Sequence, residues 1–183
     1  MRALGAIALA CFAAHAIDIL VHHDAANLLW SCNVGAATAA LGLLVRRPLL
    51  VATGAVMLIL GEPLWLIDLS TGGEWMWTSP LTHVGVLAVA LIGARRLGVP
   101  RSTWAWSTAA IGAATAAARL LGPPDDNINL AFALPRGWAW FPSHRLYMVC
   151  LGTTIGLSAI AAQLVLRAFG FPLPLRDLVR RVR

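Results

Sequence analysis

Six apolar runs, each near the length that crosses a bilayer, constrain this chain more than any other feature. They cover residues 2–21, 27–45, 48–69, 80–94, 103–121 and 144–169. A helix needs about 20 such residues to span hydrocarbon, and the fourth run, being short, either tilts little or begins within the interface. The chain of 183 residues is 59% hydrophobic and 12% charged. That is about half the charge of a soluble domain. Mean hydropathy is +0.75, as expected when the solvent is lipid. The fold class expected is therefore all-α: a polytopic membrane protein with six transmembrane helices over 1–169 and a basic tail over 170–183. The N-terminus imitates a signal peptide, with Arg2, an apolar stretch and the small-residue triplet Ala14-His15-Ala16. The apolar stretch continues through Ile17, Ile19, Leu20 and Val21, so an uncleaved first helix is expected.

The loops fix an orientation. Arg46 and Arg47 follow the second run, Arg95, Arg96 and Arg101 the fourth, and Arg176, Arg180, Arg181 and Arg183 the sixth. The remaining links hold His22, His23, Asp24, Glu74, Asp125, Asp126 and Arg136. Basic loops stay in the cytoplasm, so both termini are expected there, in an inner membrane. The net charge of +6 comes wholly from arginine, since the chain has no lysine. These arginines cluster between apolar runs as topology determinants do, which argues against a nucleic-acid partner despite a pI near 10.9. In the tail they should lie on the anionic inner leaflet, each contributing about 1 kcal/mol, as a topology signal or a contact for a cytoplasmic partner.

Ionisable side chains within the apolar runs gather at one end, the outer one. His15, Asp18 and His22 share one stripe of the first helix, with His15 and Asp18 roughly 5–10 Å below its outer end. Asn27 and Asn33 fall in the outer half of the second run. Glu62 lies about 10 Å below the outer end of the third, with Asp68 near the surface. His83 begins the fourth, Arg119 ends the fifth, and His144 and Arg145 open the sixth. The inner halves, 3–10, 36–45, 49–58, 86–94 and 158–166, contain no ionisable residue and only Gln163 and a few threonines as polar relief. An ion path needs polar groups at successive depths, so a transporter or channel fits poorly and a pocket open to the outside fits better.

Pro63 lacks the N–H owed to the carbonyl four residues earlier and should kink the third helix beside Glu62. Glu62 is either a buried carboxylate that locks helices together or a ligand or general base. Each histidine alone reads as a hydrogen-bonded structural group. Together with the carboxylates, His15, Asp18, His22, Glu62 and His83 suit a divalent ion such as Zn²⁺, although no HExxH or CxxC spacing assigns the ligands. His15 and His83 are also the pair that would hold a haem. The three cysteines, Cys11, Cys32 and Cys150, lie in apolar runs as small hydrophobes; Cys32 and Cys150 belong to the same membrane face, leaving a disulfide between them open. Trp30, Trp65, Trp75, Trp77, Trp138 and Trp140 fall at the outer face, as an aromatic belt or as a lid, and Trp104 and Trp106 at the inner one. In the long link 122–143, Asp125, Asp126, Asn127 and Asn129 either N-cap a short helix over 128–134 or face a substrate from a re-entrant loop.

The stretches GEPLWLIDL (61–69), LTHVGVLAVALIGARRLGVPR (81–101) and PPDDNINLAF (123–132) resemble a family of small six-helix bacterial integral membrane proteins of no known activity. In that family a Glu-x-x-Trp-x-x-Asp run, a His-initiated helix ending in Arg-Arg-Leu-Gly and an Asn-Ile-Asn-x-x-Phe motif recur in order. The resemblance spans about residues 27–150 and implies that Glu62, Trp65, Asp68, His83, Asn127 and Asn129 work together. A looser similarity is to six-helix membrane hydrolases and acyltransferases that pair a Thr or Cys nucleophile with a His, with Cys32 and His83 at the analogous positions.

Two functions follow as expectations. One is a metal-assisted membrane enzyme acting on a lipid headgroup or other amphiphile, with Glu62, His83 and Asp68 catalytic and His15 a ligand or proton donor. Arg119, Arg145, Asn127, Asn129 and Trp65 would then hold the substrate. The other is a non-catalytic binding or accessory subunit for metal, haem, quinone or lipid. Small-residue faces in the fifth run (Ala109, Gly112, Ala113, Ala116) and the sixth (Gly152, Gly156, Ala159) suit close packing within the chain, in a homo-oligomer or against a membrane-protein partner.

Overall fold

In the computed structural model, residues 1–70, 73, 75–135 and 138–174 are described. Glu74, Arg136 and the tail arginines Arg176, Arg180, Arg181 and Arg183 lie outside the described residues. Those described form helices and connecting turns, with no strand among them. Six α-helices follow one another: α1 (Arg2–His22), α2 (Ser31–Leu44), α3 (Pro48–Ser70), α4 (Leu87–Leu97), α5 (Thr103–Leu121) and α6 (His144–Ala168). By length and composition α1, α3 and α6 are able to cross a membrane, and α2 is a shorter apolar helix.

The α2–α3 hairpin is the centre of the packing. Arg47 N–H donates to Gly42 O at 2.9 Å and Arg46 N–H to Leu43 O at 3.4 Å. Arg46 itself sits at φ 55. These are the bonds of a Schellman stop, with arginine in the left-handed position where glycine is usual. Pro48 then starts α3 where a missing N–H costs nothing. The two helices touch backbone to backbone: a Cβ added at Gly54 would lie 2.6 Å from Ala39 N and collide with Gly35 O. Ala36, Ala39, Ala40 and Leu43 of α2 interlock there with Val51, Ala52, Ala55 and Val56 of α3, all fully buried. Against this pair pack α1 through Ala8 and the α4 segment through Val86, Ala90 and Ala94. Outward faces stay apolar (Ile17 and Val21 on α1, Leu157 and Leu164 on α6), as a lipid-solvated surface requires. Thr38, Thr115 and Thr153 each return their hydroxyl to the carbonyl one turn back, so none enters the apolar exterior unpaired.

One end of the bundle gathers the basic links: Gly5 abuts Leu44, Val99 N–H donates to Pro172 O at 2.7 Å, and Gln163 Oε1 accepts from Trp104 N–H at 3.0 Å, capping the start of α5. That cap accounts for the isolated glutamine of the inner half. The opposite end gathers the polar residues described below.

Three elements depart from expectation. The second run is not one helix over 27–45. A 3-10 turn, Ala25–Leu29, capped by the Asp24 carboxylate accepting from Ala26 N–H at 2.7 Å, precedes an extended Trp30, and α2 begins only at Ser31. The fourth run enters through a π-helical stretch, Leu81–Val86, before α4. In the link after α5, the helix expected over 128–134 is absent. Two 3-10 turns, Pro124–Asp126 and Ile128–Leu130, stand there instead, with Asn127, Asn129 and Leu130 at φ 44, 53 and 58. The cause is Asn127 Oδ1, which accepts from Phe132 N–H and Ala133 N–H at 2.9 Å each and so competes with the helical pattern. α3 runs as a single helix through Pro63 to Ser70.

Candidate functional site

Glu62 and Trp65 are three residues apart on α3, hence on one face, and both meet His83 of the π-helical stretch. Glu62 Oε1 lies 3.2 Å from His83 Nδ1. The Trp65 ring stacks on the imidazole with centroids 4.3 Å apart and planes at 9°. Trp75 stacks in turn on Trp65 at 6.3 Å, and Trp77 meets Trp75 edge-on at 5.9 Å, so an aromatic cover lies over this end of α3. From the first turn of α2, the Cys32 thiol lies close enough to the same imidazole to interact with it electrostatically. It packs against Gly61 of α3, where a Cβ would lie 3.5 Å from Cys32 Cβ. His83 is 3% exposed and the Glu62 side chain 21%, so the carboxylate edge is the open side of the group. An ionised Glu62 only accepts, which places a hydrogen on Nδ1 and, in the neutral ring, leaves Nε2 with its lone pair. A π-helical turn widens the helix by a residue and is frequent where a side chain must be aimed; here it carries His83. Asn33 Oδ1 and Thr82 Oγ1, next in sequence to Cys32 and His83, are buried without a hydrogen-bond partner.

A second group lies on α1, which packs against the π-helical stretch. Thr78 Oγ1 donates its one hydrogen to Asp18 Oδ2 at 2.5 Å and therefore accepts from His15 Nδ1 at 2.9 Å. Asp18 Oδ1 lies 3.6 Å from Nε2 of the exposed His22. His15 is buried, its orientation fixed through the threonine by the carboxylate. Thr78 was not legible as a partner, since nothing but its place in the outer link marks it.

These placements correct several expectations. Among the described residues no three His, Cys, Asp or Glu side chains converge as metal ligands. The expected set splits into His15–Thr78–Asp18–His22 and Glu62–His83, because His15 Nδ1 is taken by the Thr78 hydroxyl and His83 Nδ1 by the Glu62 carboxylate. A haem between His15 and His83 does not fit either. Their two elements are in direct contact, a Cβ at Gly85 lying 3.6 Å from Cys11 Sγ. Asp68 does not join His83: it sits at the exposed end of α3 against Gly73, whose N–H donates to its carbonyl at 2.8 Å. Cys32 and Cys150 are both free thiols.

Asn127 and Asn129, expected on a substrate, are engaged by the protein itself. Asn129 Oδ1 accepts from Ser31 N–H at 2.9 Å and Ser31 Oγ at 2.8 Å, and its Nδ2 donates to Leu29 O at 2.7 Å. Asn33 Nδ2 donates to Asn27 O at 3.1 Å, and Asn27 Nδ2 to Asp126 Oδ2 at 2.8 Å. The irregular backbone ahead of α2 thereby finds hydrogen-bond partners within the protein. Arg119 and Arg145 stand apart from His83, on α5 and α6. The Arg119 guanidinium lies 4.6 Å above the Phe132 ring and donates to Ala131 O at 3.2 Å. Comparison of the chain with family models, with curated proteins and with solved structures finds no match to any of them.

Proposed function

We propose that the protein is a membrane-embedded enzyme that transfers or hydrolyses an acyl group of an amphiphile in the outer leaflet. Cys32 is the nucleophile, His83 the general base and Glu62 the group that orients it. The observation carrying this reading is the Glu62–His83 contact at 3.2 Å between α3 and the π-helical stretch, with Cys32 of α2 near the same imidazole. A nucleophile, a base and a carboxylate that fixes the base's tautomer form a recurring constellation for acyl transfer. Three of the participants, Glu62, Trp65 and His83, belong to the motifs on which the family resemblance rests. No metal enters the scheme.

With Nδ1 committed to Glu62, His83 Nε2 takes the thiol proton. The thiolate adds to the carbonyl carbon of an ester, forming a C–S bond. The C–O bond then breaks as the proton passes from His83 to the leaving alkoxide oxygen. Water or an alcohol, deprotonated by the same nitrogen, displaces Cys32 and completes the turnover. Burial of the ring under Trp65 keeps bulk water off this face, which strengthens each electrostatic contact.

In this reading the chain crosses the inner membrane six times, with both termini in the cytoplasm. Support comes from the placement of Arg46, Arg47, Arg95, Arg96 and Arg101 at the bundle end opposite the His83 group. The test is site-resolved alkylation of the purified full chain by iodoacetamide, quantified by mass spectrometry. Cys32 is expected to react about tenfold faster than the similarly half-buried Cys11, and to lose that advantage in His83→Ala. Equal rates at Cys32 and Cys11, or an unchanged Cys32 rate in the variant, would overturn the assignment and leave a non-catalytic binding role.

A further inference from the structure

We infer that the groove between α5 and α6 binds an anionic phospholipid, its acyl chain lying along the helices and its phosphate between Arg119 and Arg145. The groove has a volume of about 570 Å³ and runs from Thr108 and Ile155 to the two arginines. From residue 108 to 119 it covers about 16 Å along α5 at the helical rise, comparable with an extended acyl chain. Its walls are apolar, including Ile111, Leu151 and Met148. Gly112 and Gly152 leave it open, since a Cβ added at either meets nothing within 4 Å.

The mouth decides the occupant. Among the described residues no carboxylate lies within ion-pair distance of Arg119 or Arg145. Arg119 is held flat by Phe132 and by one bond to Ala131 O, which presents the rest of its donor fork. His144 also lines the groove, its Nε2 3.0 Å from Leu130 O. Two guanidinium groups above an apolar channel match a phosphate diester joined to a hydrocarbon chain. A zwitterionic lipid would bring its own cation to that mouth. A second copy of the chain seated across a two-fold axis would set the same arginines against each other. The inference does not rest on the acyl-transfer reading, because none of the groove residues belongs to the Cys32–His83–Glu62 group.

The test uses the full chain in detergent and native mass spectrometry with phosphatidylglycerol and phosphatidylcholine of identical acyl chains. Phosphatidylglycerol is expected to be retained about tenfold more tightly. Arg145→Gln, at an exposed position, should reduce that preference severalfold, and Arg119→Gln combined with it should abolish it. Gly152→Leu, which fills the channel and spares both charges, should weaken both lipids. Retention of phosphatidylglycerol no better than phosphatidylcholine, or a preference that survives the double variant, would overturn the inference. So would a dimer lost in Gly152→Leu with neither lipid retained, which would assign the groove to a second copy. The Cys32 alkylation rate should be unchanged in Arg145→Gln, so the two readings fail separately.

Discussion

At the residue scale the organising group is His83, because one ring receives a carboxylate on its edge, an indole on its face and a thiol. The Glu62–His83 contact at 3.2 Å fixes which ring nitrogen faces the carboxylate. Glu62→Gln tests that role with little change of shape. A glutamine amide is able to present its N–H₂ to Nδ1, which moves the ring hydrogen to Nε2 and removes the lone pair that the proposed base needs. Cys32 alkylation at neutral pH is expected to fall about 10- to 100-fold, the usual loss when the carboxylate behind a functional histidine is removed. Thermal unfolding followed by tryptophan fluorescence should shift little, because the packing of Trp65 on His83 is retained. A Cys32 rate equal to that of the parent chain would show Glu62 to be structural only. The grouping of Glu62 with Trp65 is implied in the sequence only by the family resemblance, and that of Glu62 with His83 by their common depth. Cys32 was underweighted, since a lone cysteine in an apolar run reads as a small hydrophobe until the helix carrying it is seen against Gly61. Thr78 was invisible because its partners, His15 and Asp18, are 63 and 60 residues away.

At the scale of elements, the helices followed from apolar length and the irregular segments did not. Runs of one character fix where a helix lies. They do not reveal that Asp24 caps a 3-10 turn, or that Asn127 draws two backbone N–H groups away from a helix. The joint between the segment before α2 and the link after α5 shows why such details are kept. Asn129 satisfies a backbone N–H, a hydroxyl and a carbonyl around Ser31, across as many as 100 residues of sequence. It does so at φ 53, where asparagine is tolerated better than most residues. Asn129→Gly keeps the backbone permissive and removes only the three bonds. Asn129→Ala removes the bonds and adds strain at a left-handed position. The glycine variant is expected to lose about 1–3 kcal/mol, from leaving part-buried backbone groups unpaired, and the alanine variant more. Denaturant unfolding in detergent, read by tryptophan fluorescence, orders the three proteins. Equal stability of Asn129→Gly and the parent chain would show that this tether does not hold the joint.

For the molecule as a whole, polarity is distributed by end rather than by face, and that distribution is what a membrane orientation acts on. α2, at 14 residues, reaches only about 21 Å, short of a hydrocarbon core of about 30 Å. If α2 crosses, the 3-10 turn and the extended Trp30 must complete that crossing, and the non-helical part then falls on the polar side, beside Cys32, His83 and the asparagine joint. The opposite side holds Arg46, Arg47, Arg95, Arg96 and Arg101, five positive charges in short links, each opposed to translocation. If the orientation follows those charges, the Cys32–His83 group opens outside the cell and its substrate comes from the outer leaflet. Two introduced thiols at exposed loop positions test this: Asp125→Cys in the link after α5 and Ser102→Cys in the link before it. A bulky, membrane-impermeant maleimide added to intact spheroplasts should label Asp125→Cys and leave Ser102→Cys unlabelled until the membrane is permeabilised. The native thiols, lying within helices, serve as the background in the parent chain. The reverse pattern would turn the bundle over and place the thiol–imidazole group on the cytoplasmic side. Its reactants would then have to come from the inner leaflet, and Arg119 and Arg145 would meet the anionic lipids of that face instead.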